Sequence, residues 1–205
     1  RWATHGGVTD TNAHPHNQGK ITLVHNGIIE NYEELKKELE KEGYNFKSST
    51  DSEVAAALID KLYKENKDML KTLVILKDKL KGSYAFNIIN DDYKDIIFGI
   101  RKDSPLIVGI GENENVLASD IPAIVHITNK YVVLDNYDVV YLTKSNVKYY
   151  NREGKEIQKT VKEFPLEKET ISKNGYDHFM LKEINEEPEL VKKLLNLYTE
   201  NNKVK

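Results

Sequence analysis

The residues able to do chemistry crowd into the first quarter of the chain. His5, His14, His16 and His25 lie within 21 positions of one another. Imidazoles at that density raise the question of a metal centre. A zinc site, however, needs three converging ligands whose second ring nitrogens are held in place. His14-Pro15-His16 is not on helical spacing, and no glutamate sits in an H-E-x-x-H pattern. Loop and strand histidines bonded to backbone are the simpler reading, and no metal is expected. Asn26-Gly27 is a second candidate. Both residues tolerate positive φ, so the pair reads first as a turn. A helix follows it rather than a second strand, so a two-residue hairpin does not fit. An Asn amide beside a Gly N–H at a strand end is also the construction of an oxyanion hole. Asp51 is the third candidate. An acid in the first turn of a helix complements the helix dipole, which is the simpler reading; the other is a carboxylate aimed at a ligand ammonium. Ser104-Pro105 and Ser119-Asp120 read as turn residues. Phosphate-loop, dinucleotide and nucleophile-elbow motifs are absent from the sequence.

Composition narrows the field. The 205 residues contain no cysteine, which leaves no disulfide, thiolate metal site or thiol nucleophile in this chain. Lys and Arg number 30 against 33 Asp and Glu, without a block of like charge. Neither a nucleic-acid footprint nor a membrane anchor is expected. No apolar run approaches the ~20 residues that cross a bilayer. A cytoplasmic location is the expectation.

The elements that must position these residues are legible as an α+β pattern. Ile21 to Val24 reads as a strand that stops at Asn26-Gly27. Ile29, Tyr32, Leu35 and Leu39 follow at helical spacing up to Gly43. Thr50-Asp51-Ser52-Glu53 has the form of a capping box in front of an apolar helix. Met69 to Leu80 is a third helix, stopped by Gly82. Short β-rich runs then follow at 84–89, 96–100, 106–110, 131–134, 139–142, 147–150 and 157–161, with a short helix at 121–125 and a tight turn at Arg152–Lys155. Consecutive short strands favour antiparallel pairing. A polar stretch at 168–175 precedes a last helix, 179–198, with Leu190, Val191, Leu194, Leu195 and Tyr198 on one face.

Several segments resemble one family when taken in order. Arg1-Trp2-Ala3-Thr4-His5-Gly6, His14-Pro15-His16, Val24-His25-Asn26-Gly27-Ile28-Ile29-Glu30-Asn31-Tyr32 and Ser49-Thr50-Asp51-Ser52-Glu53 are similar to successive motifs of the glutaminase domain of glutamine–fructose-6-phosphate aminotransferases. Leu80 to Ala85, Arg101 to Leu106 and Leu117 to Asp120 continue the series. Phe179 to Pro188 resembles the link into that family's sugar-isomerase domain, with Glu187 where the family has Gln. Each motif is weak alone; the collinear set is specific.

The resemblance implies an N-terminal nucleophile hydrolase fold, in which helices surround two antiparallel sheets. It implies a partial class II glutamine amidotransferase domain over 1–178, followed by a helical linker over 179–205. The family's nucleophile is the thiol of an N-terminal cysteine, whose α-amine is the base. This chain begins at Arg1 and holds no cysteine, so the nucleophile and the first strands are expected to lie outside it, and the chain alone is expected to be inactive. Among the residues present, the resemblance assigns Arg1 to the glutamine α-carboxylate, where a planar guanidinium fits better than lysine. Thr4 and His5 contact the same end, Trp2 caps the pocket or packs the core, and Asp51 takes the α-ammonium. Asn26 and Gly27 form the oxyanion hole. It implies no cofactor. The expected partners are glutamine or glutamate, fructose 6-phosphate by way of the isomerase domain, and a second copy of the chain, since removing strands uncovers sheet edges. A non-catalytic glutamine- or glutamate-binding module is the competing reading. A metallohydrolase built on His5, His14, His16 and His25 is the third.

Overall fold

The computed structural model describes residues 5–164, 173–200 and 203–204. Arg1, Trp2, Thr4 and most of the polar 168–175 stretch lie outside the described residues. The chain divides into two compact units, Arg1–Phe164 and Pro165–Lys205.

The first unit is built on a seven-stranded antiparallel sheet. In chain order its strands are β1 (His16–Gln18), β2 (Ile21–Ile29), β3 (Gly82–Asn90), β4 (Ile97–Lys102), β8 (Val139–Leu142), β9 (Val147–Tyr150) and β10 (Glu156–Ile157), and they pair in that order. A second, four-stranded antiparallel sheet has the order β11 (Lys162–Glu163), β7 (Lys130–Val133), β5 (Ile107–Ile110), β6 (Asn115–Ala118). Three helices, α1 (Tyr32–Lys41), α2 (Asp51–Asn66) and α3 (Met69–Lys79), lie between β2 and β3 in sequence.

Period-two alternation decides which residues face which layer. Ile21, Leu23 and Ile29 of β2, and Tyr84, Phe86 and Ile88 of β3, join the core shared with the helices. Val139 of β8 faces the same way, while its neighbour Val140 faces the other core with Ala85, Val108 and Val132. One sheet thus separates two apolar cores, and the layered antiparallel arrangement expected from the sequence is observed. Helix α2 is buried nearly all round, with Val54, Ala55, Ala56, Ala57 and Ile59 all within the core. Its alanines let the helix lie close to the sheet without overfilling the layer.

Several boundaries differ from the sequence reading. Strand β2 does not stop at Asn26-Gly27 but continues to Ile29, in register with β3 along its whole length, including Gly27 opposite Tyr84. Ile29 is therefore a strand residue, and α1 begins only at Tyr32. The turn reading of Asn26-Gly27 fails because ladder pairing outlasts the local preference for a turn. Leu117 and Ala118, read only as part of a motif, belong to β6, and the short helix at 121–125 shrinks to a 3₁₀ turn over Ile121–Ala123. Of the strand expected at 157–161 only Ile157 is paired, at the end of β10, and β11 begins beyond it at Lys162. In the second unit, helix α4 spans Phe179–Tyr198, as its periodicity predicts. Among the described residues no helix is long and apolar enough to cross a membrane.

Gly27 shows why this pairing demands its residue type. Its φ is +130°, and a Cβ there would stand 2.2 Å from the Ser83 carbonyl oxygen. Gly27→Ala is therefore expected to lower unfolding stability by about 2 kcal/mol or more, from backbone strain and the displaced β3. Urea denaturation checks this; an unchanged midpoint would contradict the geometry.

Candidate active site

The site forms where the N-terminus of α2 meets the middle of β2. Thr50 caps the helix, its Oγ1 accepting from the Glu53 N–H at 3.2 Å. A reciprocal capping box would send Glu53 back to the Thr50 N–H. Instead, its carboxylate accepts from the Lys47 and Ser48 N–H groups at 3.0 and 2.6 Å, from Ser48 Oγ at 2.6 Å and from Gln18 Nε2 at 3.0 Å. Burial pushes the Glu53 carboxyl up, but these donors outweigh it and hold it below the usual range. The segment preceding α2 is thus clamped to its first turn.

Asp51 opens α2 and is only 2% exposed. Its Oδ2 accepts the Ile29 N–H of β2 at 2.8 Å. His5 Nδ1 stands 3.7 Å from the same oxygen and His25 Nδ1 stands 3.9 Å away. The carboxylate has the helix dipole behind it and a strand N–H in front. It is both a structural tie and a buried negative charge beside two imidazoles. The His5 ring packs edge-on to Tyr32, with centroids 4.6 Å apart.

His25 sits on the helix side of β2. Its Nδ1 is 3.0 Å from Ser52 Oγ, and its ring lies 4.8 Å from that of Phe86. Burial pulls its pKa down from 6.5 to about 4, against the opposing field of Asp51 and with help from His14 and His16. The imidazole is therefore neutral at neutral pH and serves as a hydrogen-bonding spacer between β2 and α2.

Alternation sends Asn26 to the other face of β2. There it lines a small cavity of about 60 Å³ with His14, Asn87, Ala85, Pro105 and Ser119. Gly27 follows immediately, and Ser104 Oγ lies 2.9 Å from where a Gly27 Cβ would stand. The structure thus brings His5 and Asp51 together, while Asn26 on β2 lines a small cavity that His25 also borders. His14 and His16 pack edge to face at 5.5 Å. Among the described residues no three His, Asp or Glu side chains come together as metal ligands.

Sequence reasoning left several of these residues unassigned. Ser52 and Glu53 passed as helix-start residues, and Ser119 as a turn. Asn87 is inconspicuous inside the run Tyr84-Ala85-Phe86-Asn87-Ile88-Ile89. The available signal was an amide in an otherwise apolar strand, since a half-buried Asn requires partners.

Comparison with known structures defines the class. The chain is similar to the glutamine phosphoribosylpyrophosphate amidotransferase of B. subtilis, with a TM-score of 0.60 and 25% identity over 71% of this chain and 33% of that one. It is equally similar to a structure described as the allosteric regulatory enzyme of purine biosynthesis, with a TM-score of 0.61, 25% identity and coverage of 71% and 32%. The layered sandwich is therefore that of the N-terminal nucleophile amidotransferases. Residues 8–126 match the model of the glutamine amidotransferase domain, more than half of the sequence, and the chain belongs to that family. Within it, the chain is 49% identical to the glutamine–fructose-6-phosphate aminotransferase (isomerizing) of Fusobacterium nucleatum over 205 residues, 99% of this chain and 33% of that protein. It is 50% identical to the enzyme of the same name from Aquifex aeolicus over 193 residues, 93% of this chain and 32% of that protein. The chain thus spans about a third of the length of these relatives.

The depressed His25 has a consequence for stability. The unfolded chain binds a proton near pH 6.5, whereas the folded chain binds it only near pH 4. The contribution is complete above pH 6.5 and is lost as pH falls toward 4, a loss of about 3 kcal/mol in all. Denaturant midpoints measured from pH 7 to 4.5 should fall in wild type and fall less steeply in His25→Gln. Equal slopes would contradict the assignment, as would an NMR titration of His25 near its ordinary pKa.

Proposed function

We propose that these residues form the glutamine-holding part of a glutaminase domain. In the whole protein that domain would release ammonia from glutamine for transfer to fructose 6-phosphate, giving glucosamine 6-phosphate. The observation that carries this reading is the identity of 49–50%, across nearly the whole chain, with relatives named for that aminotransferase. The geometry supports it at the α-ammonium end of an amino acid. Asp51 offers a buried carboxylate with His5 beside it, suited to an α-ammonium. Arg1, Trp2 and Thr4, which precede His5 in sequence, would complete the grip on the α-carboxylate. Asn26 and the Gly27 N–H would hold the oxyanion that develops at the side-chain amide, a contribution of about 3 kcal/mol per donor in comparable sites.

The attacking group in this reading is a cysteine thiol, and none of the 205 residues is cysteine. The chain would therefore bind glutamine without cleaving it. No cofactor is invoked. The acceptor-sugar chemistry would belong to the remaining two-thirds of the relatives' length, and a cytoplasmic homo-oligomer is the setting we favour.

Two measurements test this. Purified chain incubated with glutamine should release no glutamate above the protein-free control, and turnover that Asn26→Ala abolishes would refute the missing nucleophile. Calorimetry should detect glutamine binding that Asp51→Asn weakens at least tenfold, since a charge-assisted partner of the ammonium is lost. Equal affinity in the variant would remove Asp51 from the site.

A further inference from the structure

Asn87 stands on β3 within a run of apolar residues, and its surroundings are unusual. Its register partner is Val24, while Asn26 is opposite Ala85. Asn26 and Asn87 are therefore diagonal neighbours on one face of the sheet, at a separation of about 7–8 Å. Both line the same cavity of about 60 Å³, whose remaining wall includes Pro105, Leu106 and Ser119. The Asn87 Nδ2 donates to the Leu117 carbonyl of the second sheet at 3.4 Å. That carbonyl fixes the orientation of the amide, since the reverse would set two acceptors face to face. The Asn87 Oδ1 is buried and has no hydrogen-bond partner among the described residues. A buried acceptor left in this state is costly, and the cost is recovered when a donor fills the cavity.

We infer that Asn87 is a specificity-determining residue, which selects a carboxamide over a carboxylate. The inference rests on the proposed binding of glutamine. With the Asn26 amide donating to the side-chain carbonyl oxygen of glutamine, the carboxamide NH₂ would face the diagonal position. There the Asn87 Oδ1 accepts one of its hydrogens. Glutamate offers no donor at that place and sets a charged oxygen against the Asn87 oxygen. The cavity holds several times the ~10–15 Å³ that one water needs, a fit for a terminal carboxamide. Discrimination by a site that hydrogen-bonds an NH group arises in this way, from a buried partner stranded by the wrong ligand. The product would leave the site for the same reason that the substrate enters it.

Calorimetric titration of the full chain with glutamine and then with glutamate tests the inference. Wild type should prefer glutamine at least tenfold. Asn87→Val should weaken glutamine binding and bring the two ligands within about threefold, with the fold checked by circular dichroism. Asn87→Ala removes the same acceptor with a smaller change of shape and should likewise bring the two ligands within about threefold, so a failure of the valine variant to fold leaves the test intact. Glutamine and glutamate binding equally to wild type would overturn the role of Asn87 while leaving the binding site itself standing. An undiminished preference in Asn87→Val would do the same. Binding of neither amino acid would overturn the proposed site and this inference with it.

Discussion

The hydrogen bond from the Ile29 N–H to the Asp51 carboxylate is the tie on which the rest of the site depends. It joins the first residue of a buried helix to the end of the strand that carries Asn26 and Gly27. A helix start this deep leaves N–H groups that water cannot reach, so the protein must supply their partners. Thr50 takes one, and the Asp51 charge is set against the others through the helix dipole. Glu53 turns outward to clamp the residues that lead into the helix. The neutral His25 imidazole and the Ser52 hydroxyl fill the space between strand and helix. The same carboxylate that stitches the fold is thereby held nearly dry beside His5.

Dryness is what would suit this arrangement to an ammonium group in the proposed function. A carboxylate in water is a weak discriminator of ammonium groups, whereas one fixed among buried dipoles keeps much of its Coulomb attraction. The sheet does the complementary work on its other face. Alternation along β2 places His25 toward the helices and Asn26 away from them, so adjacent residues serve two different environments. The glycine that follows lets the strand approach β3 closely enough to keep its register. One short segment of strand thus contributes a structural imidazole and two candidate oxyanion donors.

Much of this was legible in the residues. The antiparallel α+β architecture followed from short β-rich runs with tight turns, and strands β8 and β9 and helix α4 have the limits that their patterns indicate. Thr50 as a cap and Asp51 as a residue of the first turn could be read directly. What was hidden depended on partners distant in sequence. Asn26-Gly27 has a turn-forming composition, and only the ladder with β3 converts it to strand. Glu53 has the spacing of a capping box, but the loop at Lys47 and Ser48 supplies nearer donors. Asn87 became informative only once Leu117 from the other sheet claimed half of its amide. Local propensity cannot report such choices, because they are settled by which groups remain unpaired after the layers have packed.

The central claim is that this chain holds glutamine by its two ends through Asp51 and the Asn26-Gly27 pair. A crystal structure of the chain soaked with glutamine tests it most directly. The account predicts the α-ammonium within hydrogen-bond distance of the Asp51 carboxylate, and the side-chain carbonyl oxygen on the Asn26 amide and the Gly27 N–H. Glutamine seated elsewhere, or seated here with its amide turned away from Asn26, would contradict it.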